Sequence, residues 1–277
     1  MKRAYIPLAG RLGNHFFILS AAKYLESFGF DVIIMIRKYQ YERKNIDDKT
    51  TYLKQNFNCL DESGELYERI LSEATNIVNY CNDHLEKYIN YDTTLYFNIS
   101  YFQNAKYYFH NKEYIDNIFN YSSNNILNYN VDHDNSVFIS CRRGDYIDAG
   151  FFILSSQYYI DMYNTYFKGK DIYISCDDIN WCKENLKKEY FSKCKNIYYL
   201  DNLSSIEILN LSKQFKYYIL ANSSFSAMCE LSSIYEDKLA IAVPNINYQF
   251  NRINMFDKYT LIYDIIKNKE LNKYIDK

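Results

Sequence analysis

The chain has 277 residues, 48% of them hydrophobic, which suffices for two domains of ordinary size. A formal net charge of −2 and a pI of about 6.1 exclude wholesale nucleic-acid binding, so an anionic ligand has to be met by a local basic spot. No run approaches the roughly 18 apolar residues of a membrane span, and the basic start Met1-Lys-Arg lacks the apolar stretch of a signal peptide.

Residues 4–9 read as a short buried strand. Gly10-Arg-Leu-Gly13-Asn14 follows, then a helical pattern from about His15 to Phe28, and Gly29 as its stop. Residues 31–36 are a second strand, which completes a βαβ unit. Asn14 suits the helix N-cap, and the glycine turn with the helix N-terminus suits an anion; both readings can hold together. Residues 37–130 are less regular, with helical segments near 64–80 and 111–120 on either side of Tyr101-Phe-Gln103. The Asn- and Asp-rich stretch 124–134 marks the domain boundary, giving a first αβ domain over 1–130 and a second over 131–277. In the second, strands at 137–141, 171–176, 196–200, 217–221 and 238–243 alternate with helices near 156–167, up to 188, 205–214 and up to 235. That rhythm predicts a Rossmann-like parallel sheet. The segment from about 258 reads as a C-terminal helix, which is free to pack back on the first domain. The expected fold class is α/β, with two Rossmann-like αβα domains facing across a cleft.

Seven cysteines at 59, 81, 141, 176, 182, 194 and 229, with no CxxC pair, read as reduced and mostly buried thiols. Four scattered histidines offer no metal-ligand spacing. A soluble, cytoplasmic chain is expected, and attachment to a membrane surface stays open.

Every polar motif of the second domain follows a strand, on the edge where open α/β sheets place ligands. Arg142 and Arg143 end the first strand with rigid, forked N–H donors suited to phosphate or carboxylate. The competing reading is a surface Arg–Asp ion pair. Ser223, Ser224, Phe225 and Ser226 open a helix with hydroxyls and backbone N–H groups, as a phosphate site or as an ordinary Ser N-cap. Asp177 and Asp178 either cap the helix after them or accept hydrogen bonds from a ribose or base. Glu207, three residues after Ser204, fits a capping box and is also a candidate base-reading carboxylate. These residues point to a phosphorylated nucleotide.

Five motifs then carry a resemblance. Gly10-Arg-Leu-Gly13-Asn14-His15-Phe16-Phe17 resembles the GGLGNQxF opening of the fucosyltransferases. Tyr101-Phe-Gln103 with Lys106-Tyr107-Tyr108-Phe109 is similar to the YFQSxKYF segment of the α-1,2 group. Arg142-Arg-Gly-Asp-Tyr146 resembles HxRRGDY, Ser175-Cys-Asp-Asp178 with Trp181 resembles SDDxxW, and Ala221-Asn-Ser-Ser-Phe-Ser226 resembles ANSSFSWW. In this order they identify the chain as a divergent, bacterial-type member of glycosyltransferase family 11, the α-1,2-fucosyltransferases. Ser140 stands where the family has a nucleotide-holding His, His15 where it has Gln, and Ala227 and Met228 where it has tryptophans.

The resemblance implies a GT-B fold, GDP-β-L-fucose as donor, a galactose 2-hydroxyl of a cell-surface glycan as acceptor, and inversion without a metal or cofactor. Arg142 would neutralise the departing diphosphate with Ser224 and Ser226, and Asn14 would contact the fucose or the diphosphate. Arg143 would organise the loop by pairing with Asp145 or another carboxylate. Gly10, Gly13, Ser140, Asp177, Asp178, Glu207, Ser223 and Phe225 complete the implied donor site. Asp145, Asp148 and His15 are the candidate bases. Two alternatives stay open: a GT-B transferase for another nucleotide sugar, and a non-catalytic nucleotide- or glycan-binding protein. No nucleic-acid partner is expected, peripheral contact with the inner face of a bacterial membrane is compatible, and oligomeric state leaves no sequence signal.

Overall fold

The computed structural model describes residues 2–37, 55–62, 68–70, 72, 74, 76–78, 84–98, 100–120, 126, 129–243, 255–257, 260–262 and 274. The chain divides into two units, Met1–Phe119 and Asn120–Lys277, each with its own sheet.

The first unit holds strands β1 (Arg3–Leu8), β2 (Asp31–Arg37), β3 (Asn58–Glu62), β4 (Asn76–Val78) and β5 (Thr94–Phe97), and helices α1 (Leu12–Glu26), α2 (Ala105–His110) and α3 (Lys112–Ile118). Its sheet order is β3-β2-β1-β5-β4, and every pairing is parallel. Central β1 is an almost unbroken apolar run because a parallel sheet is covered on both faces. Helix α1 is buried over most of its surface, and Phe16 sits against Tyr108 and Phe119 with ring centroids 4.8 and 5.8 Å away. Gly29, at φ +82, turns the chain into β2.

The second unit holds β6 (Ser136–Ser140), β7 (Asp171–Ser175), β8 (Ile197–Tyr199), β9 (Tyr217–Leu220), β10 (Leu239–Ala242) and β11 (Leu261–Ile262). Its helices are α4 (Gly144–Asp148), α5 (Ser156–Met162), α6 (Ile179–Asn185), α7 (Ser205–Ser212) and α8 (Ser224–Leu231). Its order, β8-β7-β6-β9-β10-β11, is the doubly wound Rossmann order, again all parallel. Val137, Ile139, Ile172, Ile174, Ile219 and Ile241 pack on one face against Tyr158, Tyr159 and Met162 of α5.

Three expectations are corrected. Asn14 is not the N-cap of α1; that position is Arg11, with extended backbone (φ −108, ψ −177), and Asn14 lies inside the first turn. Residues 76–78 are a strand rather than helix, too short for its period to register in the sequence. Residues 261–262 pair with β10 as a strand, because apolar spacing over so few residues does not separate helix from strand. Residues 263–273 of the expected C-terminal helix lie outside the described residues. Tyr274 belongs to the core of the second unit, where its carbonyl accepts from Ser155 N–H (2.9 Å) and its hydroxyl donates to Asp161 (3.0 Å).

Candidate functional site

In the second sheet the strand order reverses between β6 and β9, and ligands of open α/β sheets bind outside the carboxyl ends of strands at that reversal. Ser140 of β6 is in register with Ser175 of β7 and Leu220 of β9. The residues just beyond these ends are therefore level with one another: Arg142, Asp177 and Asn222. Parallel pairing collects onto one edge residues far apart in sequence.

Arg142 is mostly buried and held by two carboxylates. Its Nη1 lies 2.7 Å from Asp177 Oδ2, and Nη2 donates to Asp145 one turn along α4. Its guanidinium also lies 5.0 Å from the Tyr146 ring centroid. Asp177 Oδ1 accepts the Arg143 backbone N–H at 2.8 Å, so one carboxylate braces both arginines. Gly144 makes the approach feasible: a Cβ there would stand 2.5 Å from Asp177 Oδ2. Burial pushes the Asp177 carboxyl up, against the opposing pull of Arg142. The Arg143 guanidinium lies over Trp181, 3.8 Å from the ring centroid, with Nε 3.9 Å from Asp178. The two arginines thus have different surroundings. Arg143 is a buried brace stacked on α6, and of the two options, Asp145 or another carboxylate, its carboxylate neighbour is Asp178, while Asp145 pairs with Arg142. Arg142 is a charge whose counter-ion Asp145 is half-buried.

The serines after β9 divide as well. Ser140, Ser223 and Ser226 are buried and joined to one another: Ser226 Oγ lies 2.8 Å from both Ser140 Oγ and Ser223 Oγ, and Ser226 N–H donates to Ser223 Oγ at 3.1 Å. Ser223 is the N-cap of α8. Their hydroxyls lock α8 onto β6. Ser140, in place of the histidine, is part of that lock. Ser224 and Phe225 are the half-buried residues of the turn. Asn222 donates to the Phe152 carbonyl at 3.2 Å, and Tyr146 hydroxyl donates to the Asn222 carbonyl at 3.4 Å, which ties the two turns together.

Asp178 caps α6, accepting Trp181 N–H at 3.2 Å. Glu207 completes the capping box of α7: its Oε2 accepts Ser204 N–H at 2.8 Å and Ser204 hydroxyl at 2.7 Å. Asp148 is exposed at the end of α4. Beneath the arginines, Cys176 sulfur accepts Asp178 N–H at 3.3 Å. Hydrogen bonds from the Cys141 and Cys182 thiols hold Cys176 well below the usual thiol range, while burial pushes Cys141 up. Among the described residues no group of His, Cys, Asp or Glu could hold a metal ion.

In the first unit the order reverses between β1 and β5. Gly10 there adopts φ +81, and Asn14 sits directly against it. Gly13 and His15 are buried within α1. Gln103, which follows β5, donates from Nε2 to Asn14 Oδ1 at 2.9 Å. Sequence reading singled out neither this contact nor the part played by Gly144; the pairing of residues 89 apart leaves no local signal.

Two parallel sheets, with an arginine and a helix N-terminus at the reversal of the second, define a doubly wound α/β protein. Residues 32–262 match the model of the family described as "Glycosyl transferase family 11". The chain belongs to glycosyltransferase family 11. Over 173 residues it is 30% identical to the alpha-1,2-colitosyltransferase of Escherichia coli, a match that covers 57% of this chain and 58% of that protein. It is similar in structure to the glycosyl transferase family 9 protein of Veillonella parvula DSM 2008 (TM-score 0.49, 9% identity, 98% of this chain and 89% of that one). It is also similar to the E. coli heptosyltransferase WaaC with ADP (TM-score 0.45, 8% identity, 94% and 92%). Likenesses this distant add nothing to what the sheet orders already establish.

Proposed function

We propose that the chain transfers L-fucose from GDP-β-L-fucose to the 2-hydroxyl of a galactose in a cell-surface glycan, with inversion and without a metal. The reading is carried by Arg142, a two-carboxylate-held guanidinium at the strand-order reversal of the second sheet, in a chain of family 11. The acceptor oxygen attacks the sugar's anomeric carbon as the bond to the β-phosphate oxygen breaks. The bonding electrons leave with GDP, and the charge that develops there is what Arg142 and the Ser224 turn would stabilise. Asn14 supplies a donor to the fucose or the diphosphate. The acceptor proton passes to a carboxylate. Asp145 and Asp148 suit that step better than His15, which is 5% exposed.

The test is Arg142→Ala. It should lose at least about 2.7 kcal/mol of transition-state stabilisation, roughly a hundredfold in rate, with the fold intact. Transfer near the unsubstituted rate would remove Arg142 from the mechanism. A second donor is favoured by one observation, the similarity to an alpha-1,2-colitosyltransferase. Colitose is fucose without its 3-hydroxyl. Side-by-side assays with GDP-fucose and GDP-colitose, followed by linkage analysis of the product, decide between the two.

A further inference from the structure

The motif Tyr101-Phe-Gln103 has no part in the reaction as described so far, yet its side chain touches Asn14. The two meet at the order reversal of the first sheet, Asn14 beyond β1 and Gln103 beyond β5. Gln103 is buried, and its Nε2 donates to Asn14 Oδ1 at 2.9 Å. An amide whose oxygen is taken in this way has its NH2 group left to donate. Asn14 Nδ2 lies over the turn before α1, only 2.1 Å from where a Gly10 Cβ would be, so a glycine is required for the amide to sit there. On the other side, Phe102 holds a left-handed backbone at φ +49, which is costly for a bulky residue, and Gln103 follows directly. Two unusual backbone conformations therefore flank one side-chain hydrogen bond.

We propose that Gln103 is a positioning residue that orients the Asn14 amide, so that its NH2 rather than its oxygen is presented to the donor sugar or diphosphate. This rests on the donor role proposed for Asn14 above. The alternative is a hydrogen bond that only joins β5 to α1. The two differ in where the effect of losing Gln103 is felt: through Asn14, or through the whole unit.

The test is a double-mutant cycle on the full chain, with kcat and KM measured for GDP-fucose and GDP-colitose. Four proteins are compared: unsubstituted, Asn14→Ala, Gln103→Met, and the double variant. Gln103→Met keeps the length and removes the hydrogen bond. It should lower kcat/KM at least about tenfold, since misplacing a positioned group by a fraction of its length has effects of this order. In the Asn14→Ala background it should change almost nothing, because there is no amide left to orient. A drop of equal size in both backgrounds, or no drop in either, overturns the assignment. Gln103→Glu is the second variant. Its carboxylate can only accept, so it turns the Asn14 amide around and should be at least as damaging as Gln103→Met. Wild-type turnover in that variant also overturns the assignment. If the unsubstituted chain turns over neither donor, the donor reading fails and takes this inference with it. Normal turnover without coupling sinks the Gln103 assignment alone.

Discussion

Asp177 does more in this chain than a helix-flanking aspartate ordinarily does. It receives one arginine's side chain and the next one's backbone, and Gly144 leaves it room. The thiol beside it is tuned by the same turn. Cys176 is held as an unusually acidic thiol by Cys141, Cys182 and the Asp178 N–H, whereas burial raises Cys141 and Cys229. A lowered pKa means that thiolate is present at pH values where an ordinary thiol is still protonated. Iodoacetamide at mildly acidic pH should therefore label Cys176 well ahead of Cys141, Cys182 and Cys229 in the folded protein, as read by peptide mass mapping. Labelling of Cys141 or Cys229 at a comparable rate would show that the Cys176 environment has been misread. That the Cys176 thiol is set apart from the others was not legible in the sequence. The three thiols lie 35 and 6 residues apart and meet because β6 and β7 pair in register.

At the level of elements, α8 is fastened at both ends. Ser140, Ser223 and Ser226 join its first turn to β6. Near its other end Glu230, fully buried, lies 3.0 Å from Lys238 Nζ, which lies 3.2 Å from Asp257. Removing one partner of a buried ion pair leaves an uncompensated charge. Lys238→Met should accordingly cost about 3 kcal/mol or more in urea unfolding at neutral pH. The pH dependence has a definite sign. Burial already raises Glu230 above its ordinary value, and loss of Lys238 raises it further. A carboxyl whose folded pKa exceeds its unfolded one is best tolerated below both values, and the stability it permits is lost as pH rises through the folded pKa. The defect should shrink as pH falls toward the acid range. A defect that grows on acidification, or a variant as stable as the parent, would mean that this triad is not held as an ion pair. The helices of this unit were legible because their caps lie in the sequence: Ser204 with Glu207, Asp178, and Ser223. Short edge strands such as β4 and β11 were not, because three or two residues carry no period.

For the molecule as a whole, the proposed donor is a guanine nucleotide sugar, and any ligand that binds only the folded state raises its stability. GDP at about a hundred times its dissociation constant should add about 2.7 kcal/mol. Thermal unfolding of the full chain should move upward with GDP and stay put with UDP or ADP at equal concentration. A shift with UDP or ADP and none with GDP would reassign the nucleotide.

The alternation of apolar runs with capped helices in residues 136–243 was enough to set the class of the second unit and to put every polar motif after a strand, because local periodicity and capping are properties of the chain itself. The motifs from Gly10 to Ser226 were likewise sufficient to point to the family. What each motif residue touches was decided only by tertiary structure. Ser140 and Ser226, grouped with the implied donor site, are bound to each other; Arg143, expected beside Asp145 or another carboxylate, stands beside Asp178; Gln103, given no role of its own, donates to Asn14. The physical reason is common to all three. Parallel strands are joined through crossovers, so neighbours on the ligand edge come from distant parts of the chain, and no local pattern records which hydroxyl, carboxylate or amide will stand opposite another.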